Sequence, residues 1–409
     1  MCNHLKDLDV LLKQLSGFNK YCIKSYVTKK LTSVGENYQS KIIGVDLKIS
    51  EEKNPNEDRD LHVIIKIPPT VKNYREVFDL QLMFKKEIFM YNNILPAYKK
   101  FEIDNGVCDS ELLNIAPTYY GSKLSSSKDI DLNDNALIVL ENLRSWGYYT
   151  VDRRIGTDLN HSRLVIQAIA KFHSTGIAMK HKNAEEFEII KDLSSEMKVK
   201  YPEDWSSVIE NIFKLIASDV QMNKFLDSCI KLAELIRSNP QAEIPVEPWS
   251  TIIHGDFLIM NLLFRRSNNL KDSANIKFID FQNYMFLNPL RELIFFLCTS
   301  TDQEVLNCHF DELVDLYYET LKNRLELFNF DSDSYTRDSF HKELVQNAQL
   351  EFLHCVVVLQ ILTLNFEKND VDVENLTLLL KNSKIQENEI FLEKLRNLTS
   401  FYHQRGWYS

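Results

Sequence analysis

Residues 251–264 read TIIHGDFLIMNLLF and residues 276–282 read IKFIDFQ, two apolar passages interrupted by one histidine, two aspartates and one asparagine. Asp256 and Asn261 stand in the order D-x-x-x-x-N. That spacing aims a carboxylate at an acceptor hydroxyl while the asparagine holds a metal ion, as a phosphoryl-transfer loop requires. Asp280, followed by Phe281, lies at the end of the next strand-like stretch, where a second oxygen ligand would hold Mg2+ against nucleotide phosphates. Either motif alone occurs often by chance; the two in this order, each on a short strand, carry more weight. A lone histidine is more often a buried hydrogen-bonding residue than a catalyst, so His254 is read as a brace for the loop and Asp256 as the base.

The same chemistry asks for a cation on an early strand and a carboxylate on the following helix to fix it. Lys66 in VIIKIP and Glu87 in FKKEIFMY supply them. A single Lys or Glu is usually a solvated surface residue, but Lys66 has isoleucine on both sides. No G-x-G-x-x-G or Walker sequence is present, and the phosphate-covering candidate is TSVGENYQSKIIGV at 32–45. There Gly35 makes the hairpin turn, and Ser33, Asn37 or backbone N–H groups reach phosphate; an ordinary hairpin explains the stretch equally well. The connector after the third strand, Glu141, Asn142 and Leu143, offers backbone to an adenine edge.

Those residues need elements to position them. KIIGVDLKI (41–49), LHVIIKI (61–67) and NALIVLENL (135–143) have the β-branched content of strands and predict a small N-terminal sheet. Between the second and third, Phe84, Ile88, Tyr91 and Leu95 form one helical stripe over 75–95, with Pro96 expected to end it. After about residue 160 the pattern is helical over 164–179, 220–236, 304–328 and a C-terminal series, with STIIHGD and IKFIDFQ as short strands inserted among the helices. The N-terminal MCNHLKDLDVLLKQLSGF reads as an amphipathic helix, its Asp7 and Asp9 arguing against a signal peptide. The apolar LEFLHCVVVLQILTL at 350–364 is too short to span a bilayer and reads as a buried helix.

With 409 residues the chain is large enough for two lobes and a ligand between them. A hydrophobic share of 44% with 26% charged residues is that of a folded globular protein. The net charge of −10 argues against a protein that coats nucleic-acid backbones. Seven cysteines, scattered and never in a C-x-x-C pair, suggest neither a disulfide framework nor a zinc knuckle and fit a reducing cytoplasm. A dinuclear metallophosphoesterase is discounted, because no glycine is followed by asparagine and the G-N-H-[DE] partner is missing.

VGENYQS, FKKEIFMYNNILP, VLENL, AIAKFHSTGIA, HGDFLIMNLLF and IKFIDFQ together resemble the ecdysteroid kinase-like (CHK kinase-like) family of arthropods, relatives of the choline and aminoglycoside kinases. The resemblance runs from about residue 30 to 330. It implies an α+β, two-lobed protein-kinase-like fold, with an ATP-binding lobe over 1–140 and a helical catalytic and acceptor-binding lobe over 141–409. It further implies ATP- and Mg2+-dependent phosphorylation of a small-molecule hydroxyl, with an ecdysteroid or xenobiotic alcohol as acceptor and detoxification as the wider role. Asp256 is then the base, Asn261 and Asp280 the metal ligands, and Lys66 with Glu87 the phosphate-positioning pair.

Three positions depart from the family's pattern. Leu258 stands where an aromatic is usual, Met260 where a second asparagine is usual, and Glu292 in PLREL where aspartate is usual. The first two keep open a non-catalytic relative that binds a hormone or xenobiotic without phosphorylating it. Expected partners are a small-molecule alcohol, with no nucleic acid and no membrane, and the expected state is a monomer or weak homodimer. Trp205, Phe225, Tyr317, Tyr318 and Phe352 are the aromatics of the expected acceptor region, each more readily read as core.

Overall fold

A computed structural model describes residues 8–30, 41–68, 79–124, 136–195, 205–238, 244–266, 275–364 and 388–408. They divide into two compact units. One comprises the described residues within Met1–Asn92 and Ala116–Tyr149, the other those within Asn93–Ile115, Thr150–Leu364 and Leu378–Ser409.

In chain order the first unit contains α1 (Leu8–Lys13), β1 (Tyr21–Lys30), β2 (Lys41–Glu51), β3 (Asn54–Ile67), α2 (Leu80–Phe89), β4 (Tyr119–Lys123) and β5 (Leu137–Glu141). The strands form one antiparallel sheet in the order β1-β2-β3-β5-β4. Alternation along the strands divides its faces. Val45, Leu47 and Ile49 of β2, Val63, Ile65 and Ile67 of β3, and Leu137 and Val139 of β5 face Leu8, Leu12, Leu15 and Phe18 in one core. Lys66, one residue out of phase with Ile65 and Ile67, stands on the opposite face between Ile42 and Ile138.

The three expected strands are present, but β1 and β4 were not legible. β1 carries a register shift between Ile23 and Ser25, and β4 another between Tyr119 and Gly121. A bulge inserts a residue and breaks the period of two by which a strand is recognised. Pro96 also departs from expectation. The chain leaves α2 through a π turn at Met90–Ile94 and enters a further helix, Leu95–Asp104, with Pro96 in its first turn. A proline there begins a helix, because its missing N–H would have had no intrahelical partner anyway.

The second unit is mainly helical: α3 (Leu95–Asp104), α4 (Leu159–Lys182), α5 (Ala184–Lys191), α6 (Trp205–Ser218), α7 (Leu226–Ser238), α8 (Leu290–Thr299), α9 (Gln303–Cys308), α10 (Phe310–Leu327), α11 (Arg337–Thr363) and α12 (Glu389–Gln404). Four short strands interrupt it: β6 (Thr251–Ile253), β7 (Leu262–Arg265), β8 (Asn275–Phe278) and β9 (Met285–Leu287). The fold class is α+β, a small sheet-bearing unit and a larger helical one, as the sequence led us to expect. The helix expected over 304–328 is broken at His309 into α9 and α10.

α11 extends well beyond the apolar stretch at 350–364 and is long and apolar enough to cross a membrane by length and composition. Its Leu344, Ala348, Phe352, Cys355, Val356, Leu359 and Leu362 are nevertheless buried within the unit. Buried Glu351 accepts hydrogen bonds from Arg291 on α8 and from His354, and the His354 ring stacks on Phe295 with centroids 4.3 Å apart. This is the packing of a core helix.

Candidate active site

In the second unit, β6 pairs with β9 and β7 with β8, both antiparallel. The chain therefore crosses from the first ladder to the second through residues 254–261, and returns through residues 279–284. Two crossings between the same two ladders must run side by side, which is why motifs separated in sequence share one place in the fold. Three contacts fasten them. The Ile279 N–H donates to the Asn261 carbonyl at 3.0 Å. His254 Nε2 donates to the Ile279 carbonyl at 3.0 Å. Gly255, at φ +78°, lies so close to Asn283 that a Cβ there would fall 2.0 Å from the Asn283 carbonyl oxygen. Only glycine tolerates both that dihedral and that approach.

His254 is fully buried, and burial pushes its pKa below the ordinary imidazole value of 6.5. Its Nε2–H is committed to Ile279 and its Nδ1 accepts the Asp256 N–H at 3.4 Å. A neutral imidazole with both nitrogens engaged is the loop's brace, as the sequence reading held. The rings of Phe257 and Phe281 lie 5.7 and 4.8 Å from it, and Phe278 packs edge-on to Phe257 at 4.9 Å. This aromatic bed fixes the loop from beneath. Phe257 and Phe281 were quoted in the motifs without a role, although a fully apolar residue directly after each aspartate was the available signal.

Asp256 is partly accessible. Asn261 Nδ2 donates to the Asp256 carbonyl at 2.8 Å and to its Oδ2 at 3.2 Å. With the amide nitrogen spent on Asp256, the asparagine's oxygen is the atom left for a cation, an orientation assigned from this hydrogen-bond pattern. Asp280, also partly accessible, has φ 66° and ψ 52°, a left-handed conformation uncommon for a residue other than glycine. Such backbones are held only where their surroundings over-determine them, and they gather at functional sites.

The donors on offer are thus oxygens from one amide and one or two carboxylates. Among the described residues no group of three or more His, Cys, Asp and Glu could hold a metal. That set fits Mg2+, which takes few protein oxygens and completes its octahedron with phosphate and water, and does not fit zinc.

Glu292, the departure in PLREL, braces the loop directly. One carboxylate oxygen accepts the Gly255 N–H at 3.1 Å, and the other lies 2.5 Å from Nε2 of buried His173 on α4. His173 Nδ1 lies 2.7 Å from the Tyr317 hydroxyl, whose pKa is driven far up by burial. A phenol that stays protonated donates, so Nδ1 accepts and Nε2–H donates to Glu292. His173 lay in the quoted FHSTG, but nothing in that string connects it with a residue over a hundred positions away.

In the sheet unit, Lys66 Nζ donates to Glu87 Oε2 at 2.6 Å, and the two side chains are 5% and 1% exposed. Sheet phase puts Lys66 on the face opposite the main core, and α2, started by Asp79 accepting the Leu82 N–H, brings Glu87 to it. In the connector, the Glu141 N–H donates to the Thr118 carbonyl and the Asn142 N–H to the His62 carbonyl. The Glu141 carboxylate accepts from Thr118 N and Oγ1, and the Asn142 side chain accepts the Arg144 N–H. Two of the three backbone donors offered to an adenine edge, and both polar side chains, therefore serve the sheet and the following turn. Ser33, Gly35 and Asn37 lie outside the described residues, as does the side chain of Trp205.

The remaining acceptor-region aromatics are interior. Phe225, Tyr317, Tyr318 and Phe352 are each no more than 7% exposed. Tyr317 is spent on His173 and the Tyr318 hydroxyl on the Tyr335 carbonyl.

No curated protein matches the chain. Among solved structures, a Plasmodium vivax ethanolamine kinase is similar at 13% identity and a TM-score of 0.38, over 94% of this chain and 84% of that one. A spectinomycin phosphotransferase in complex with ADP and spectinomycin is similar at 11% identity and 0.43, over 96% and 98%. A microcompartment-associated aminopropanol kinase is similar at 11% identity and 0.44, over 98% and 99%. The sequence profile described as the ecdysteroid kinase-like family matches residues 34–330, most of the length and all of the residues placed above from Lys66 to Glu292, and the chain belongs to that family.

Proposed function

We infer that this member of a small-molecule-kinase-like family is an ATP- and Mg2+-dependent phosphotransferase acting on a hydroxyl group. The observation that carries the reading is the carboxylate of partly accessible Asp256 held by the Asn261 amide, on a loop fastened to the one that bears Asp280. Asp256 orients the acceptor alcohol and takes its proton as the oxygen attacks in line. The Asn261 amide oxygen and the Asp280 carboxylate hold the metal. Held there, Mg2+ would supply positive charge to offset the charge developing on the transferring group. Lys66 engages nucleotide phosphate with its ammonium held in place by Glu87. Of the connector residues, Leu143 offers its N–H to the base, since those of Glu141 and Asn142 are spent on Thr118 and His62.

The acceptor class, an ecdysteroid or xenobiotic alcohol, rests on family membership, since Phe225, Tyr317, Tyr318 and Phe352 of the expected acceptor region are core. Six described cysteines are free thiols, which supports a reducing, cytoplasmic setting. The test incubates the purified chain with labelled ATP and Mg2+ against ecdysteroids, plant phenolics, choline and aminoglycosides. Labelled ecdysteroid or phenolic phosphate is the expected product. Tight binding of one acceptor with no transfer would establish the non-catalytic binding protein instead.

A further inference from the structure

We propose that Ser300 is a positioning residue for the Asp256 loop, and that α8 grips this loop at two points on either side of Asp256. The proposal rests on the phosphotransferase reading for its kinetic consequence, but not for its structural content. At the start of α8, Glu292 accepts the Gly255 N–H at 3.1 Å. At its C-cap, Ser300 Oγ accepts the Ile259 N–H at 3.0 Å. Residues 292 and 300 lie eight positions apart on a rigid helix, about 12 Å at the rise of an α-helix. The loop residues they hold are four positions apart and enclose Asp256.

Ser300 is itself immobilised. It is fully buried, its carbonyl accepts the Thr157 N–H at 2.8 Å and the Thr157 hydroxyl at 3.2 Å, and its hydroxyl lies 3.1 Å from that of Thr299. The Thr157 hydroxyl in turn lies 2.8 Å from that of Ser162 on α4. The acceptor offered to Ile259 is therefore fixed from two further sides.

Ile259 is fully buried, so its N–H has no water to turn to if Ser300 is removed. It sits between Leu258, whose carbonyl accepts the Asn261 N–H, and Met260, the two positions at which the sequence departs from its family. A loop that lacks the usual asparagine at 260 and aromatic at 258 keeps its turn through a bond from outside itself. Loosening it displaces Asp256 and Asn261 together. An error on the order of 1 Å at a reacting group costs about a hundredfold in rate.

The test compares Ser300→Ala, Ser300→Cys and Ser300→Thr. Alanine removes the acceptor, cysteine keeps the volume with a poor acceptor, and threonine keeps the oxygen. Hydrogen exchange of the Ile259 amide, which needs no catalysis, should accelerate tenfold or more in the Ala and Cys variants and return toward wild type in Thr. In parallel, kcat should fall between tenfold and a hundredfold in Ala and Cys, with KM for ATP changed less than twofold and partial recovery in Thr. Thr301→Val, which deletes a buried hydroxyl donated to the Leu297 carbonyl of α8 from just past its C-cap, should leave both readouts near wild type.

Unchanged Ile259 exchange in Ala and Cys overturns the clamp. Equal exchange and rate losses in Thr301→Val overturn it as well, by reducing the effect to general loosening of the helix. If Ser300→Ala does not fold, the Cys and Thr pair decides. A wild-type chain that transfers phosphate to nothing sinks the phosphotransferase reading, while the exchange measurement still decides the role of Ser300.

Discussion

The Lys66–Glu87 pair and the Asp256–Asn261–Asp280 loops solve opposite problems. The pair is two charges withdrawn from water, each compensated by the other at 2.6 Å and positioned by ordinary sheet phase and helix register. The loops keep their carboxylates accessible and obtain position from backbone: a glycine at positive φ, an aspartate in the left-handed region, and N–H groups caught by Glu292 and Ser300. Charge position is thus built from side-chain burial in one region and from irregular main chain in the other. Removing one member of the pair should cost stability as well as activity, whereas removing an accessible carboxylate of the loops should cost rate with little stability.

The largest expected effect tests the second half of that contrast. Asp256→Ala should lower phosphate transfer by about 10²- to 10⁴-fold, the range for losing a general base, with ATP affinity by calorimetry nearly unchanged. The urea midpoint should move little, because the carboxylate is partly exposed. Undiminished turnover would remove Asp256 from the mechanism.

Next in size, Lys66→Ala should cost about 3–5 kcal/mol in urea unfolding, since it takes the neighbouring cation from a buried carboxylate. The double substitution Lys66→Leu with Glu87→Leu should recover most of that stability and none of the activity. Recovery of both would show that the pair serves only the fold.

A smaller effect separates strain from crowding. Gly106 and Gly255 have nearly the same φ, +82° and +78°, but a Cβ at Gly106 meets nothing within 4 Å whereas one at Gly255 meets the Asn283 carbonyl. Gly106→Ala should cost about 1–2 kcal/mol, the left-handed penalty alone. Gly255→Ala should cost more and also lower kcat. Equal costs and equal rates would mean that the two loops do not press together there.

The smallest effect is a slope. Burial lowers the pKa of His254, so the unfolded chain binds its proton first as pH falls below 6.5. Stability should decline from pH 7 to 5.5, and His254→Gln should flatten the decline. A slope unaltered by the substitution would assign it to other groups.

The same contrast explains what could be read in advance. Lys66, Glu87 and the strands beneath them follow periods of two and 3.6, so their phase is written in neighbouring letters. D-x-x-x-x-N is local and equally visible. The bonds from Glu292 to Gly255, from Ser300 to Ile259 and from His173 to Glu292 join distant letters, and no local pattern announces them. Pro96 misled because the same residue ends one helix and begins another, and the π turn between them leaves no mark in hydrophobic spacing. The connector begins at the end of β5 as expected, but the use of its donors depends on β3 and on Thr118, which only the pairing shows.

The left-handed backbone of Asp280 decides how its charge should be probed. Alanine at 280 would change two things at once, deleting the carboxylate and placing a residue that resists this dihedral where aspartate is comparatively tolerant. Asparagine shares that tolerance and nearly matches the shape of aspartate, so Asp280→Asn is the variant in which a lost response to Mg2+ reports charge and not a relaxed turn.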